Sequence, residues 1–107
     1  MVYHAENSRG DTEKRALSAY HVLIHGEVTG VGFRFSAIRE ARRYEGLRGY
    51  IRNQDHATVE CLVQGPEPAV SKFVDWLKTG PDSARVRDID LREVSPRDDL
   101  SSFNVAP

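Results

Sequence analysis

The stretch His25-Gly26-Glu27-Val28-Thr29-Gly30-Val31-Gly32-Phe33-Arg34 constrains the chain more than any other. Three glycines fall within seven residues, between the apolar run Tyr20–Ile24 and a helical pattern. Glycine permits positive φ and lets a ligand approach the backbone closely. A tight strand-to-helix loop of this kind aims several N–H groups at one spot, where the positive end of the helix dipole also acts. Such a spot suits an anion. Arg34 stands at the start of the helix, and its planar fork can take two oxygens of a phosphate or carboxylate at once. Spacing alone fits a plain glycine-rich turn with a surface arginine as well. The loop is neither G-x-G-x-x-G nor a Walker A, because no Gly-Lys-Ser/Thr is present.

The flanks set the fold class. Ala19–His25 reads as a first strand, with Val22 and Ile24 on one face and Leu23 on the other, apolar enough on both for a central position. Phe33 to about Tyr44 reads as a helix with the stripe Phe33, Ala37, Ala41, Tyr44, ended by Gly46. Leu47–Asn53 and Thr58–Gln64 alternate as a second and a third strand, joined at Gln54–Ala57. Pro66 is expected at the first position of a second helix, whose stripe is Val70, Phe73, Val74, Leu77 and whose stop is Gly80-Pro81. Trp76 belongs to its core or rim. Ala84–Val94 is a fourth strand, where the step from Val86 to Ile89 breaks alternation and suggests a bulge. Phe103–Val105 adds a short edge strand. The order is the β-α-β-β-α-β ferredoxin-like plan of an α+β sandwich: an antiparallel sheet with two helices on one face. Many activities share that plan, so the site must decide function.

At 107 residues the chain holds one domain, expected over 18–107 behind a polar tail over 1–17. The Arg9-Gly10-Asp11 triplet in that tail is a chance string. A net charge of −1 gives no global field to recruit nucleic acid. One cysteine, Cys61, allows no internal disulfide and reads as a small buried hydrophobe. No apolar run spans a bilayer and no signal-peptide core is visible, so a cytoplasmic monomer without membrane contact is expected. His21 and His25 share a face with Leu23; hydrogen-bonded or solvent-facing rings are expected there, since nothing completes a metal set. Arg39, Arg42 and Arg43 read as a solvated helix face rather than a nucleic-acid patch.

The site chemistry is sparse. Besides the loop N–H groups and Arg34, Asn53 comes beside the loop if the first two strands are neighbours, and it can hold a water while contacting a substrate. No Ser–His, Cys–His or paired-carboxylate arrangement is tied to the loop, and no cluster resembles a metal site. Such a site can hydrolyse only an activated phosphate. An acyl phosphate fits, because its carboxylate leaving group needs no protonation and phosphoryl transfer rests on positioning and charge stabilisation.

Gly26-Glu27-Val28-Thr29-Gly30-Val31-Gly32-Phe33-Arg34 resembles the acylphosphatase family signature G-x-V-Q-G-V-x-F-R, with Thr29 where the family usually has Gln. Gly49-Tyr50-Ile51-Arg52-Asn53 is similar to that family's second motif, an apolar strand ending in Arg-Asn. The resemblance runs from about His21 to Val105. It implies cofactor-free hydrolysis of an acyl phosphate, with Thr29, Gly30, Val31, Gly32 and Phe33 as phosphate loop, Arg34 as phosphate-binding arginine and Asn53 as orienter of the attacking water. The family often has Asp-Gly where this chain has His56-Ala57, a poorer source of positive φ, which leaves the turn type open. Two other roles share this strand order. A nucleic-acid module of this fold needs aromatics on the third strand, and Thr58–Gln64 has none. A carbamoyl-phosphate-handling domain, as in hydrogenase maturation factors, comes with further domains. A non-catalytic phosphate-binding or interaction role is the remaining alternative.

Overall fold

A computed structural model describes residues 17–107. In chain order they form β1 (Leu17–Glu27), α1 (Phe33–Ala41), β2 (Arg48–Asp55), β3 (Thr58–Pro66), α2 (Glu67–Thr79), β4 (Arg85–Glu93) and β5 (Phe103–Val105). The strands make one sheet in the order β4-β1-β3-β2-β5. β1 pairs antiparallel with β3 and β4, and β2 with β3, as the ferredoxin-like plan requires. The short edge strand β5, whose direction the sequence left open, joins this antiparallel set beside β2. It runs parallel to β2, pairing Gly49 with Phe103 and Ile51 with Val105, so the sheet is mixed. The route explains this: from β4 at one edge the chain crosses to the far edge and enters β5 in β2's own direction. Gln64 pins the crossing, its amide donating to the Arg97 carbonyl at 2.8 Å and its Oε1 accepting from the Arg97 N–H at 2.7 Å.

One layer of side chains joins sheet to helices. Val22 and Ile24 of β1, Ile51 of β2, and Val59, Cys61 and Val63 of β3 meet Phe33, Ala37 and Ala41 of α1 and Val70, Phe73, Val74 and Leu77 of α2. Each fully buried Val, Leu, Ile or Phe contributes about 1.5–3 kcal/mol relative to exposure. The predicted stripes therefore face the core as the periodicity required. Cys61 is fully buried there, and burial pushes its thiol pKa far above the ordinary range. It is a packing residue, not a nucleophile.

Several boundaries differ from expectation. β1 is longer at both ends and takes in Leu17, which was assigned to the tail; the rest of the expected tail lies outside the described residues. α1 stops at Ala41, short of Tyr44, because Arg43 N–H bonds to Glu40 O and Tyr44 N–H to Ala41 O. Those i→i+3 bonds tighten the chain out of α geometry well before Gly46. Pro66 is the N-cap of α2 rather than its first helical residue; with ψ 136° it is still extended and closes β3. The bulge lies where the alternation broke: His25 pairs with Asp88 but Gly26 with Val86, leaving Arg87 extra. That extra residue puts Val86, Ile89 and Leu91 on one face. Gly26 is required at this point, because its φ is +139° and a Cβ there would lie 2.2 Å from the Arg85 carbonyl oxygen.

The sheet's other face is mostly polar, and along β3 it buries Thr58, Glu60, Leu62 and Gln64. His21 Nε2 donates to Glu60 Oε2 at 2.7 Å, and Arg52 donates to the same carboxylate. Burial alone would raise the Glu60 pKa; the hydrogen bonds from His21 and Arg52 outweigh it and hold the carboxyl below its usual range. His25 lies between Thr58 Oγ1 at 3.1 Å and Asp90 Oδ2 at 3.0 Å. Both histidines are hydrogen-bonded, in line with expectation, and among the described residues no group of three His, Cys, Asp or Glu could hold a metal ion.

Candidate active site

The loop between β1 and α1 is shaped by alternating backbone hands. Gly30 has φ +71° and Gly32 φ +77°, while no non-glycine residue among those described has positive φ. Positive, negative, positive and then helical φ across Gly30–Phe33 turns successive N–H groups toward one concavity, an anion-binding arrangement. A Cβ on Gly30 or Gly32 would meet nothing within 4 Å. The glycines serve conformation, and the space in front of them is open to a ligand. Among the described residues, no N–H of 28–32 donates to a backbone carbonyl. α1 starts here without a side-chain cap and without an acidic residue in its first turn. Its first N–H groups and the positive end of its dipole are thus left to whatever enters the loop.

Both ends of the loop are anchored. Val28 and Phe33 are 1% exposed. The Phe33 ring lies against Trp76 at 5.6 Å between centroids and against Gly80, where a Cβ would come within 2.6 Å of Phe33 Cε2. The Phe33 side chain is therefore core, and only its N–H can serve a ligand. Trp76 sits at the rim of α2, stacked on Phe73. The shorter Thr29 does support the loop: its Oγ1 donates to the His56 carbonyl at 2.6 Å, and Gly26 N–H donates to the Ala57 carbonyl at 3.1 Å. The β2–β3 turn is thereby tied to the loop.

Arg34 is half-buried at the second position of α1, and it forms no ion pair among the described residues. The two carboxylates that could have claimed it are engaged elsewhere: Glu27 with Arg85 at 3.8 Å, Glu40 with Arg43 at 3.4 Å. Its guanidinium is available for an anion.

Asn53 reaches this end of the sheet by a route other than the one expected. β1 and β2 are not neighbours; β3 lies between them. Long-range pairing order is not written in local periodicity, which is why the sequence left it conditional. In register, Asn53 pairs with Val59, and Val59 with Ile24, so the three side chains point to the helix-covered face. Two strand spacings, about 10 Å, separate Asn53 from Ile24. α1 covers β2 and starts at the end of the sheet where β2 finishes, which brings Asn53 to the side of the loop and the helix N-terminus. Asn53 is exposed, and its side chain has no hydrogen-bond partner among the described residues. It does not cap the turn; Asp55 does, accepting the Ala57 N–H at 2.9 Å. With His56 and Ala57 at negative φ, the turn is not a primed type, and the ladder slips by one residue at Gln54 instead.

The Acylphosphatase family model matches residues 20–105. The chain belongs to the acylphosphatase family. It is an enzyme of that family: an acylphosphatase of Burkholderia thailandensis is 38% identical over 84 residues, covering 78% of this chain and 85% of that one. The acylphosphatase crystal structure from Bacillus subtilis superposes with a TM-score of 0.77 at 34% identity, over 85% of this chain and 99% of that one. HypF from T. kodakarensis matches at 33% identity and TM-score 0.72, over 84% of this chain but only 12% of its own. The acylphosphatase fold is thus present with both motifs at one end of the sheet. Ser83, whose hydroxyl donates to the Val31 carbonyl at 2.7 Å, was missed by sequence reasoning. Nothing in a turn sequence marks a contact 52 residues away.

Proposed function

We propose that the protein hydrolyses an acyl phosphate to a carboxylate and inorganic phosphate, with the phosphoryl group held by the N–H groups of Thr29–Phe33 and by Arg34. The supporting observation is the alternating-φ loop running into an uncapped helix, with an uncommitted guanidinium beside it. A water oriented by the Asn53 amide attacks phosphorus; the P–O bond to the acyl group breaks and the carboxylate leaves with its electron pair. No acid is needed for so weakly basic a leaving group. The water's proton passes to phosphate or solvent. The loop and Arg34 stabilise the charge on the phosphoryl oxygens, and Asn53, which is not a base, contributes position. The small match to HypF gives the carbamoyl-phosphate alternative no separate residue to rest on, since it covers the same elements.

A cytoplasmic monomer acting without nucleic acid is part of this proposal. β4 supports the monomer: its open edge carries Arg85, Arg87, Asp88, Asp90, Arg92 and Glu93, charges that oppose strand addition. The test is hydrolysis of benzoyl phosphate by the purified protein. Turnover is expected to survive excess EDTA, and inorganic phosphate is expected to inhibit competitively because it fills the same cradle. Loss of activity on chelation, restored by one divalent cation, would overturn the metal-free mechanism; no turnover at micromolar enzyme would overturn the activity.

A further inference from the structure

The loop is held at its middle by a residue outside both motifs. Ser83 lies in the α2–β4 connection, in a turn closed by the Ala84 N–H to Pro81 carbonyl bond at 2.9 Å. Its Oγ donates to the Val31 carbonyl at 2.7 Å. The same connection holds Gly80 against the Phe33 ring. Two elements of the 80–84 segment therefore press on the loop, one at its anchor and one at its centre.

The Val31 carbonyl and the Gly32 N–H belong to one peptide unit. The unit is planar and, with no cis bonds among the described residues, trans, so its C=O and N–H point in opposite directions. Fixing the oxygen on the Ser83 side fixes the Gly32 N–H on the other. Turning this unit over changes ψ of Val31 and φ of Gly32, and glycine accepts φ of either sign, so Gly32 itself does not hold the unit in its observed orientation and an external hydrogen bond can. Thr29 holds the preceding turn through His56, but it binds with its own side chain and leaves the 31–32 peptide unconstrained.

We propose that Ser83 is a positioning residue for the phosphate site, holding the Val31–Gly32 peptide so that the Gly32 N–H is aimed at the bound phosphoryl group before substrate arrives. Donors already aimed cost no reorganisation when charge develops. This rests on reading residues 29–34 as the phosphate cradle. Ser83 touches no substrate in this account; it acts through Val31.

The experiment compares wild type, Ser83→Ala and Ser83→Thr, measuring kcat and KM for benzoyl phosphate, competitive inhibition by inorganic phosphate, direct binding of inorganic phosphate by calorimetry, and melting temperature. Loss of one such hold is expected to weaken phosphate binding and kcat/KM by about five- to tenfold. The melting temperature is expected to stay near that of wild type because Ser83 is exposed. Ser83→Thr keeps the hydroxyl and is expected to restore most of the loss. Wild-type affinity for phosphate in Ser83→Ala, or a Ser83→Thr variant as impaired as the alanine one, overturns the positioning role while leaving the activity in place. Phosphate that fails to bind the wild-type protein overturns the cradle itself and the positioning role with it.

Discussion

Arg34→Ala is expected to lower kcat/KM for an acyl phosphate by about 10²-fold or more, a loss of a few kcal/mol of transition-state stabilisation. The reason is geometric as well as electrostatic. Among the described residues, Arg34 has no carboxylate of its own, so removing it frees no stranded partner and disturbs no ion pair. Its cost should therefore appear in activity rather than in stability. Arg34→Lys should recover little. A lysine carries the charge as a compact point, whereas the guanidinium presents a fork that matches two phosphoryl oxygens. The check is steady-state kinetics on the three proteins alongside their melting curves. A lysine variant near wild-type activity would show that net charge alone suffices.

Asn53→Ala is expected to reduce kcat by about 10²-fold or more while KM and the phosphate inhibition constant move little. A group that orients the attacking water contributes in the transition state, and a group that binds phosphate contributes in both states. The exposed position of Asn53, with Asp55 already closing the turn, makes a folding defect the wrong explanation for such a loss. Asn53→Asp should not rescue, because a carboxylate beside the cradle repels the bound phosphate. If Asn53→Ala weakens phosphate binding as much as it slows turnover, Asn53 is a ligand of the phosphate and not a holder of water.

Where the sequence was informative, the signal was local. The glycines at 30 and 32 announced positive φ, the Phe33–Ala37–Ala41 stripe announced a core-facing helix, and the Val86–Ile89 step announced a bulge that the register places at Arg87. What stayed hidden depends on contacts between distant segments. The insertion of β3 between β1 and β2 carries no periodicity of its own, and neither does the parallel entry of β5. Element ends moved by a few residues wherever a hydrogen bond chose between geometries, as at Ala41 and Pro66. The departures from the family pattern turned out to be linked in space, since Thr29 donates to the carbonyl of His56. A short hydroxyl reaches that carbonyl directly, which no inspection of either position alone could reveal. Ser83 is the extreme case, a turn residue whose hydroxyl donates to a loop carbonyl 52 residues away in the chain.

The central claim is that the backbone from Thr29 to Arg34 forms the phosphate cradle, and it is tested most directly by following backbone amide resonances of the 15N-labelled protein during titration with inorganic phosphate. The largest shifts are expected at the amides of Gly30, Val31, Gly32, Phe33 and Arg34, half-complete at a phosphate concentration equal to its competitive inhibition constant, with the titration moved to much higher phosphate in Arg34→Ala. Shifts centred elsewhere, with those five amides unmoved at saturating phosphate, would contradict it.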